Sequence, residues 1–262
     1  MEKKITLAVF TKPWKCGIDE LGRKVAGFGF DAIELPVRPG YPVNPDNMAV
    51  ELPRAVKRLA EYGLTVASIA GPTDERSFAA CAEAGVPIIR ICVGIGADGY
   101  MATEQRLRRE YDALAPILAS HNVTLGIQNH NGKSICNAMG LRHLLESYDP
   151  KQIAAVWDAA HNALDGEEPE MALDIVWPYL CMVNLKNAIR KRVNGPEARQ
   201  AEWEVYWTTG PQGFASWPRV CTELQRRKYR GVVCLTAEYS DEQAVDRLIA
   251  SDIAYAKSLF AV

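Results

Sequence analysis

No stretch of this 262-residue chain approaches the roughly eighteen consecutive apolar residues of a membrane-spanning helix, so a transmembrane helix is excluded. Charge of one sign is not in excess either: 30 Lys and Arg face 32 Asp and Glu, a formal net charge of -2. No surplus of positive charge is available for a phosphate backbone, which argues against a dedicated nucleic-acid binder. Histidines number only four, and His121 and His143 fall in helical stretches, too few for a zinc cluster. The seven cysteines are widely spaced and form no CxxC pair, so they read as reduced thiols, with Cys92 and Cys136 as small buried hydrophobes. The chain reaches Lys12 and Pro13 too soon after its first apolar run for a signal peptide, and a cytoplasmic protein is expected.

With 48% hydrophobic and 24% charged residues the chain has the composition of a globular protein, long enough to bury a core without disulfides. Apolar, β-branched runs recur at 5–10, 31–35, 65–70, 88–93, 123–128, 153–158, 180–185 and 232–238, and several are continuous, as in strands covered on both faces. Helical spacing separates them: Leu107, Tyr111, Leu114 and Leu118 share one face, Leu52, Val56 and Leu59 another, and Val245, Leu248, Ile249, Ile253, Ala256 and Phe260 a third. Eight such units, about 33 residues each, predict an α/β fold of the (β/α)8 TIM-barrel type, with a doubly wound sheet as the rival. No linker or composition shift divides residues 1–262, which are read as a single domain. Residues 187–213 read as one long irregular loop of functional interest.

In a barrel of this kind the C-terminal strand ends share one mouth, where ligands bind. Polar residues fall there at Glu34, at Gln128 with Asn129 and His130, at Asp158 with His161, at Asn184 with Lys186, and at Glu238. Polar groups at the ends of apolar strands need partners or a function, since an unmatched buried one costs about 1–3 kcal/mol. A closed structural network is the plain reading of any one of them; together they mark a site. Gly94-Ile95-Gly96-Ala97-Asp98-Gly99 spells a dinucleotide fingerprint, but the acidic residue expected after the next strand is Gln128. A glycine-rich loop at the mouth explains the motif as well, and a nicotinamide-linked oxidoreductase is the other reading.

The segments Gly29-Phe30-Asp31-Ala32-Ile33-Glu34-Leu35, Gln128-Asn129-His130, Asp158-Ala159-Ala160-His161 and Leu185-Lys186-Asn187, with Trp217, Leu224, Tyr229-Arg230-Gly231 and Glu238, carry a resemblance. In their order and spacing the chain resembles the xylose-isomerase-like sugar phosphate isomerase/epimerase superfamily. That resemblance implies a TIM barrel and a divalent metal held by Glu, Asp, His and Glu, positions that fall here on Gln128, Asp158, Asn184 and Glu238. Two of the four are neutral amides in this chain. A hard ion such as Mg2+ or Mn2+ would be held weakly by amide oxygens, and a site with no metal is the equal alternative. A glutamine at 128 also cannot act as a general base.

The chemistry expected is proton abstraction next to a carbonyl on a sugar or sugar derivative, as in isomerisation or epimerisation. A β-eliminating lyase and a non-catalytic carbohydrate-binding barrel are the alternatives. Glu238 is the expected base, Asp158 and His161 would position or relay protons, and Lys186, on the same strand face as Asn184, would stabilise charge on oxygen. Glu34, His130, Trp14, Trp207 and Arg190 are the expected substrate contacts, Glu34 and His130 with the option of holding other groups in place. The partner is a small sugar-like molecule, and the oligomeric state, a homo-oligomer included, stays open.

Overall fold

The computed structural model describes residues 5–261. Eight parallel strands close a barrel in the order β1 (Thr6–Phe10), β2 (Ala32–Pro36), β3 (Thr65–Ala70), β4 (Ile88–Cys92), β5 (Thr124–Gln128), β6 (Ile153–Asp158), β7 (Leu180–Leu185) and β10 (Val232–Leu235), and β10 pairs back onto β1. The helices are α1 (Ile18–Phe28), α2 (Met48–Ala60), α3 (Glu75–Ala84), α4 (Tyr100–His121), α5 (Ala138–Leu145), α6 (Ala159–Leu164), α7 (Pro169–Val176), α8 (Trp217–Arg226) and α9 (Val245–Phe260). The predicted TIM barrel is therefore the observed fold. No helix among the described residues is long and apolar enough to cross a membrane.

The continuous apolar runs follow from burial on both strand faces. Outward residues such as Leu7, Ile33, Ile89, Leu125 and Val183 join the main core beneath the helices, where Tyr111 and Leu118 of α4 and Ile249, Ile253 and Phe260 of α9 meet them. A second cluster (Ala8, Ala32, Ala67, Ile88, Val156, Met182 and Cys234) fills the inside of the barrel. Space is tight there: a Cβ on Gly126 would come within 2.7 Å of Val156. This apolar plug occupies the lower barrel and leaves the upper layer to the polar strand ends.

Two sequence expectations change. The last barrel strand stops at Leu235, three residues short of the expected end. Ala237 then takes φ +50°, a left-handed conformation costly for a side chain, and the turn carries Glu238 over the mouth. The stretch 187–213 is not an irregular loop. Its ends pair as an antiparallel hairpin of β8 (Asn187–Arg192) and β9 (Trp203–Thr208), which stands over the barrel beside α6. The β-branched and aromatic run Trp203-Glu204-Val205-Tyr206-Trp207-Thr208 carried that strand signal.

The hairpin is tied down at its base. Asn187 is buried and donates to the carbonyls of Gly210 and Ala215 at 2.6 and 2.8 Å, while its Oδ1 accepts from the Ala215 amide at 2.9 Å. Asp252 of α9 accepts from the Gly210 amide at 2.9 Å and from the Tyr239 hydroxyl at 2.8 Å. Asn187→Ala would leave these buried backbone groups without partners, and urea unfolding is expected to show a loss of about 2–4 kcal/mol.

Burial pushes the Asp252 carboxyl up to about 6, against the hydrogen bonds that favour its ionised form. The folded carboxyl thus holds its proton to higher pH than the unfolded one, near 3.9. Its stability contribution is complete below about pH 4 and is lost as pH rises through about 6. The two-unit gap corresponds to about 3 kcal/mol. Asp252→Asn should therefore gain on the wild type by up to that amount between pH 4 and 7 in urea titrations, whereas a pH-independent difference would refute the assignment.

Candidate active site

The upper layer of the barrel carries side chains from successive strands, and their charges are arranged in two linked groups. In the first, Glu34 of β2 is fully buried and accepts from Arg90 Nε of β4 at 2.7 Å and from Ser68 Oγ of β3 at 3.2 Å. Arg90 also donates to Gln128 Oε1 of β5 at 2.6 Å, and Gln128 Nε2 donates to Asp158 Oδ2 of β6 at 3.0 Å. Asp158 Oδ1 caps α6, accepting from the amides of Ala160 and His161 at 2.9 and 3.0 Å. Burial disfavours the Arg90 charge, but Glu34 beside it outweighs that and holds the guanidinium protonated. Burial raises the Asp158 carboxyl, with Lys186 pulling the other way.

The second group stands nearer the opening. Lys186 Nζ donates to Glu238 Oε2 at 2.6 Å, and the other carboxylate oxygen of Glu238 is paired with Lys12 from the end of β1. Burial alone would raise the Glu238 carboxyl; Lys186 and Lys12 overcome it and hold the group down at about 2. Lys186 Nζ also lies 3.6 Å from the centre of the Trp207 ring, a cation–π contact that joins the hairpin to the barrel. His161 meets the same indole in a T-shaped contact, with ring centres 5.2 Å apart, and His130 packs at a tilt against His161, centres 3.9 Å apart. His161 Nδ1 lies 2.8 Å from the Asn131 side-chain amide and 3.3 Å from the Asn131 backbone amide, so Asn131 fixes the ring's orientation. Burial and the nearby charge of Lys186 push the His161 imidazolium far below the usual histidine range, leaving the ring neutral. A cleft of about 560 Å³ opens beside these groups, lined among others by Lys12, Lys15, Tyr41, Trp207 and Glu238.

Most of the expected residues thus converge: Asp158, His161, Lys186, Glu238, His130 and Trp207 share the mouth. Three expected substrate contacts do not fit that role. Trp14 turns toward α1 and α9, donating to Asp246 at 2.7 Å and stacking on Phe28, where a strong acceptor and an apolar partner outcompete the cleft. Arg190 is exposed and donates to the Leu164 carbonyl at the end of α6 at 3.3 Å. Glu34 has no accessible surface and serves to hold Arg90. Cys92, expected to be buried, is exposed at the end of β4. The glycine-rich loop has a local structural role: Gly94 bridges Ser134, the Gly96 amide donates to Thr103 at 2.9 Å, and Gly99 begins α4 at φ +92°.

Sequence reasoning missed Arg90, Ser68 and Lys12. Arg90 had a signal, a lone charge inside Ile88-Ile89-Arg90-Ile91-Cys92 with the same parity as the strand end. Lys12 had none beyond its place after β1, because Glu238 lies 226 residues away.

The donor set does not suit the divalent ion that the resemblance implies at Gln128, Asp158, Asn184 and Glu238. The Gln128 carbonyl oxygen, its one metal-binding atom, is turned to Arg90, and both Glu238 oxygens are paired with lysines. Asn184 is fully buried, and among the described residues neither its Oδ1 nor its Nδ2 has a hydrogen-bond partner. Among the described residues no three His, Cys, Asp or Glu side chains gather as a metal site.

The neutral His161 can be checked by nitrogen-15 NMR: its ring should show no titration between pH 8 and pH 5. A midpoint near the ordinary value of about 6.5 would contradict the geometry.

The comparisons with known proteins bear on the fold. The chain is similar in structure to the probable 3-DHS dehydratase of petrobactin synthesis from Bacillus anthracis, at 14% identity and TM-score 0.74, over 95% of this chain and 98% of that one. The 3-keto-D-glucoside 4-epimerase from E. coli matches at 14% and 0.74, over 97% and 100%. An L-ribulose 3-epimerase matches at 14% and 0.74, over 98% and 95%. No curated protein matches the chain. At such identities the structural likeness speaks for the fold alone, whereas the family model "Xylose isomerase-like TIM barrel" matches residues 23–259. By that match over nearly its whole length, the chain belongs to the xylose isomerase-like TIM barrel family.

Proposed function

We propose that this protein is an enzyme that moves a proton on a carbon beside a carbonyl of a sugar or sugar derivative. The observation that carries the reading is Lys186: a buried ammonium at the barrel mouth, held between the Glu238 carboxylate and the face of Trp207, next to an open cleft. Two epimerases and a probable dehydratase among the structural neighbours support the same reading.

The residues divide the work as follows. The substrate carbonyl oxygen takes N–H donors from Lys186 and Lys12, which turn from Glu238 toward it. Freed of those partners, the Glu238 carboxylate recovers basicity and removes the proton from the adjacent carbon. The C–H electron pair moves into the carbonyl, and the resulting enolate oxygen faces the ammonium of Lys186. The neutral His161 ring is a hydrogen-bond partner for a substrate hydroxyl, while Asp158 fixes the His161 backbone. Delivery of a proton from a donor on the face opposite Glu238 gives an epimer; return from Glu238 to the neighbouring carbon, with the hydroxyl proton passing to the carbonyl oxygen, gives an isomer. Protonation of a β-hydroxyl by Glu238, so that it leaves as water, gives elimination instead. Trp207 supplies a flat wall for the sugar.

The double pairing of Glu238 favours a second reading, a carbohydrate-binding barrel without turnover, because a carboxylate held at about 2 is a weak base until its lysines move away. Incubation with ketoses, keto-sugars and sugar acids in D2O separates the two. A turning-over enzyme washes deuterium into the carbon beside the carbonyl. Glu238→Gln should abolish that exchange, and Lys186→Met should slow it by about 100-fold or more, with both variants folded. Saturable sugar binding with no exchange would select the binding barrel.

A further inference from the structure

The side chains at Glu34, Arg90, Gln128 and Asp158 form a directed chain across the barrel. Arg90 donates at both ends of its guanidinium, to Glu34 and to the Gln128 carbonyl; Gln128 passes a donor on to Asp158. Only an amide satisfies both neighbours of position 128. A glutamate there would keep the acceptor toward Arg90 but lose the donor toward Asp158, and two anions would meet inside the barrel. The glutamine is therefore matched to the arginine.

We infer that Arg90 is the resident cation of this barrel: its guanidinium, with Lys186 and Lys12 nearer the opening, supplies the positive charge that a divalent metal would bring to an acidic ring, so that the folded protein holds no such ion. The charges close. Arg90, Lys186 and Lys12 stand against Glu34, Asp158 and Glu238, with direct ion pairs at Arg90–Glu34, Lys186–Glu238 and Lys12–Glu238. An added dication would meet an already neutral set in a partly dry site, where uncompensated charge is costly. It would also have to displace Arg90 from Gln128 and the lysines from Glu238 before either side chain could offer it an oxygen. The remaining ring position, Asn184, offers a neutral amide with both polar atoms unspent, placed in register between Asp158 and Cys234. That dipole suits a substrate hydroxyl or water better than a metal bound by a single carbonyl oxygen.

The test reads the ion itself and holds whether or not the proton-transfer reading does. Chelator-treated protein is titrated with Mn2+, and the free ion is followed by electron paramagnetic resonance. The wild type should bind no Mn2+ more tightly than about 1 mM. Micromolar, one-to-one binding would overturn the proposal. The variant Arg90→Gln/Gln128→Glu, which removes the cation and restores the carboxylate, should gain at least tenfold in Mn2+ affinity over the wild type. Gln128→Glu alone, with Arg90 kept, should gain nothing comparable. Equal gains in the two variants would overturn the assignment to Arg90, and if the double variant fails to fold, the wild-type titration and the single variant still decide.

Discussion

Charges buried in the upper barrel must be paired, and the ion pair between Arg90 and Glu34 is the one on which the rest of the mouth depends. Glu34 is wholly buried and would be intolerable as a lone carboxylate; Arg90, nearly as buried, would be equally costly without it. Once the pair is set, the second face of the guanidinium fixes the Gln128 amide, the amide orients Asp158, and Asp158 caps α6 and so places His161. Four strands and a helix are thereby held in one geometry by hydrogen bonds that each have a single workable direction.

A division of labour between depths follows. The lower barrel is apolar and closely packed, with Gly126 demanded by the approach of Val156. The middle layer is the neutralised network around Arg90. Nearer the opening, Lys12 and Glu238 line the cleft, and Lys186 stands behind them, paired with Glu238. Ala237, held at a positive φ just before Glu238, and the hairpin that brings Trp207 over Lys186 complete that outer layer. Both come from segments outside the barrel strands, where the chain has freedom to place them.

Much of this was legible in the residues. The apolar runs located all eight barrel strands within a few residues because burial on both faces leaves an unbroken hydrophobic signal, and the helices were visible at Tyr111, Leu118, Ile249 and Ile253 for the complementary reason. Asp158, His161, Lys186 and Glu238 were legible as polar punctuation at strand ends. Trp14 and Arg190 engage local partners, Asp246 and the Leu164 carbonyl, because an aromatic or a cation near a strand end says nothing about which way its side chain turns. The hairpin was missed because the irregular segment between its strands obscured the alternation in each.

What the sequence determined alone was the architecture and the short list of chemical groups, since periodicity and strand-end polarity are local properties that burial imposes on each segment. Which groups neutralise one another was decided only by the tertiary structure. Arg90 meets Glu34 across 56 residues, Gln128 meets Asp158 across 30, and Lys12 meets Glu238 across 226. Closure of the barrel brings those positions within hydrogen-bonding reach. The meaning of the amide at position 128 is therefore absent from its own neighbourhood in the sequence and present in the guanidinium of Arg90 and the carboxylate of Asp158 on either side of it.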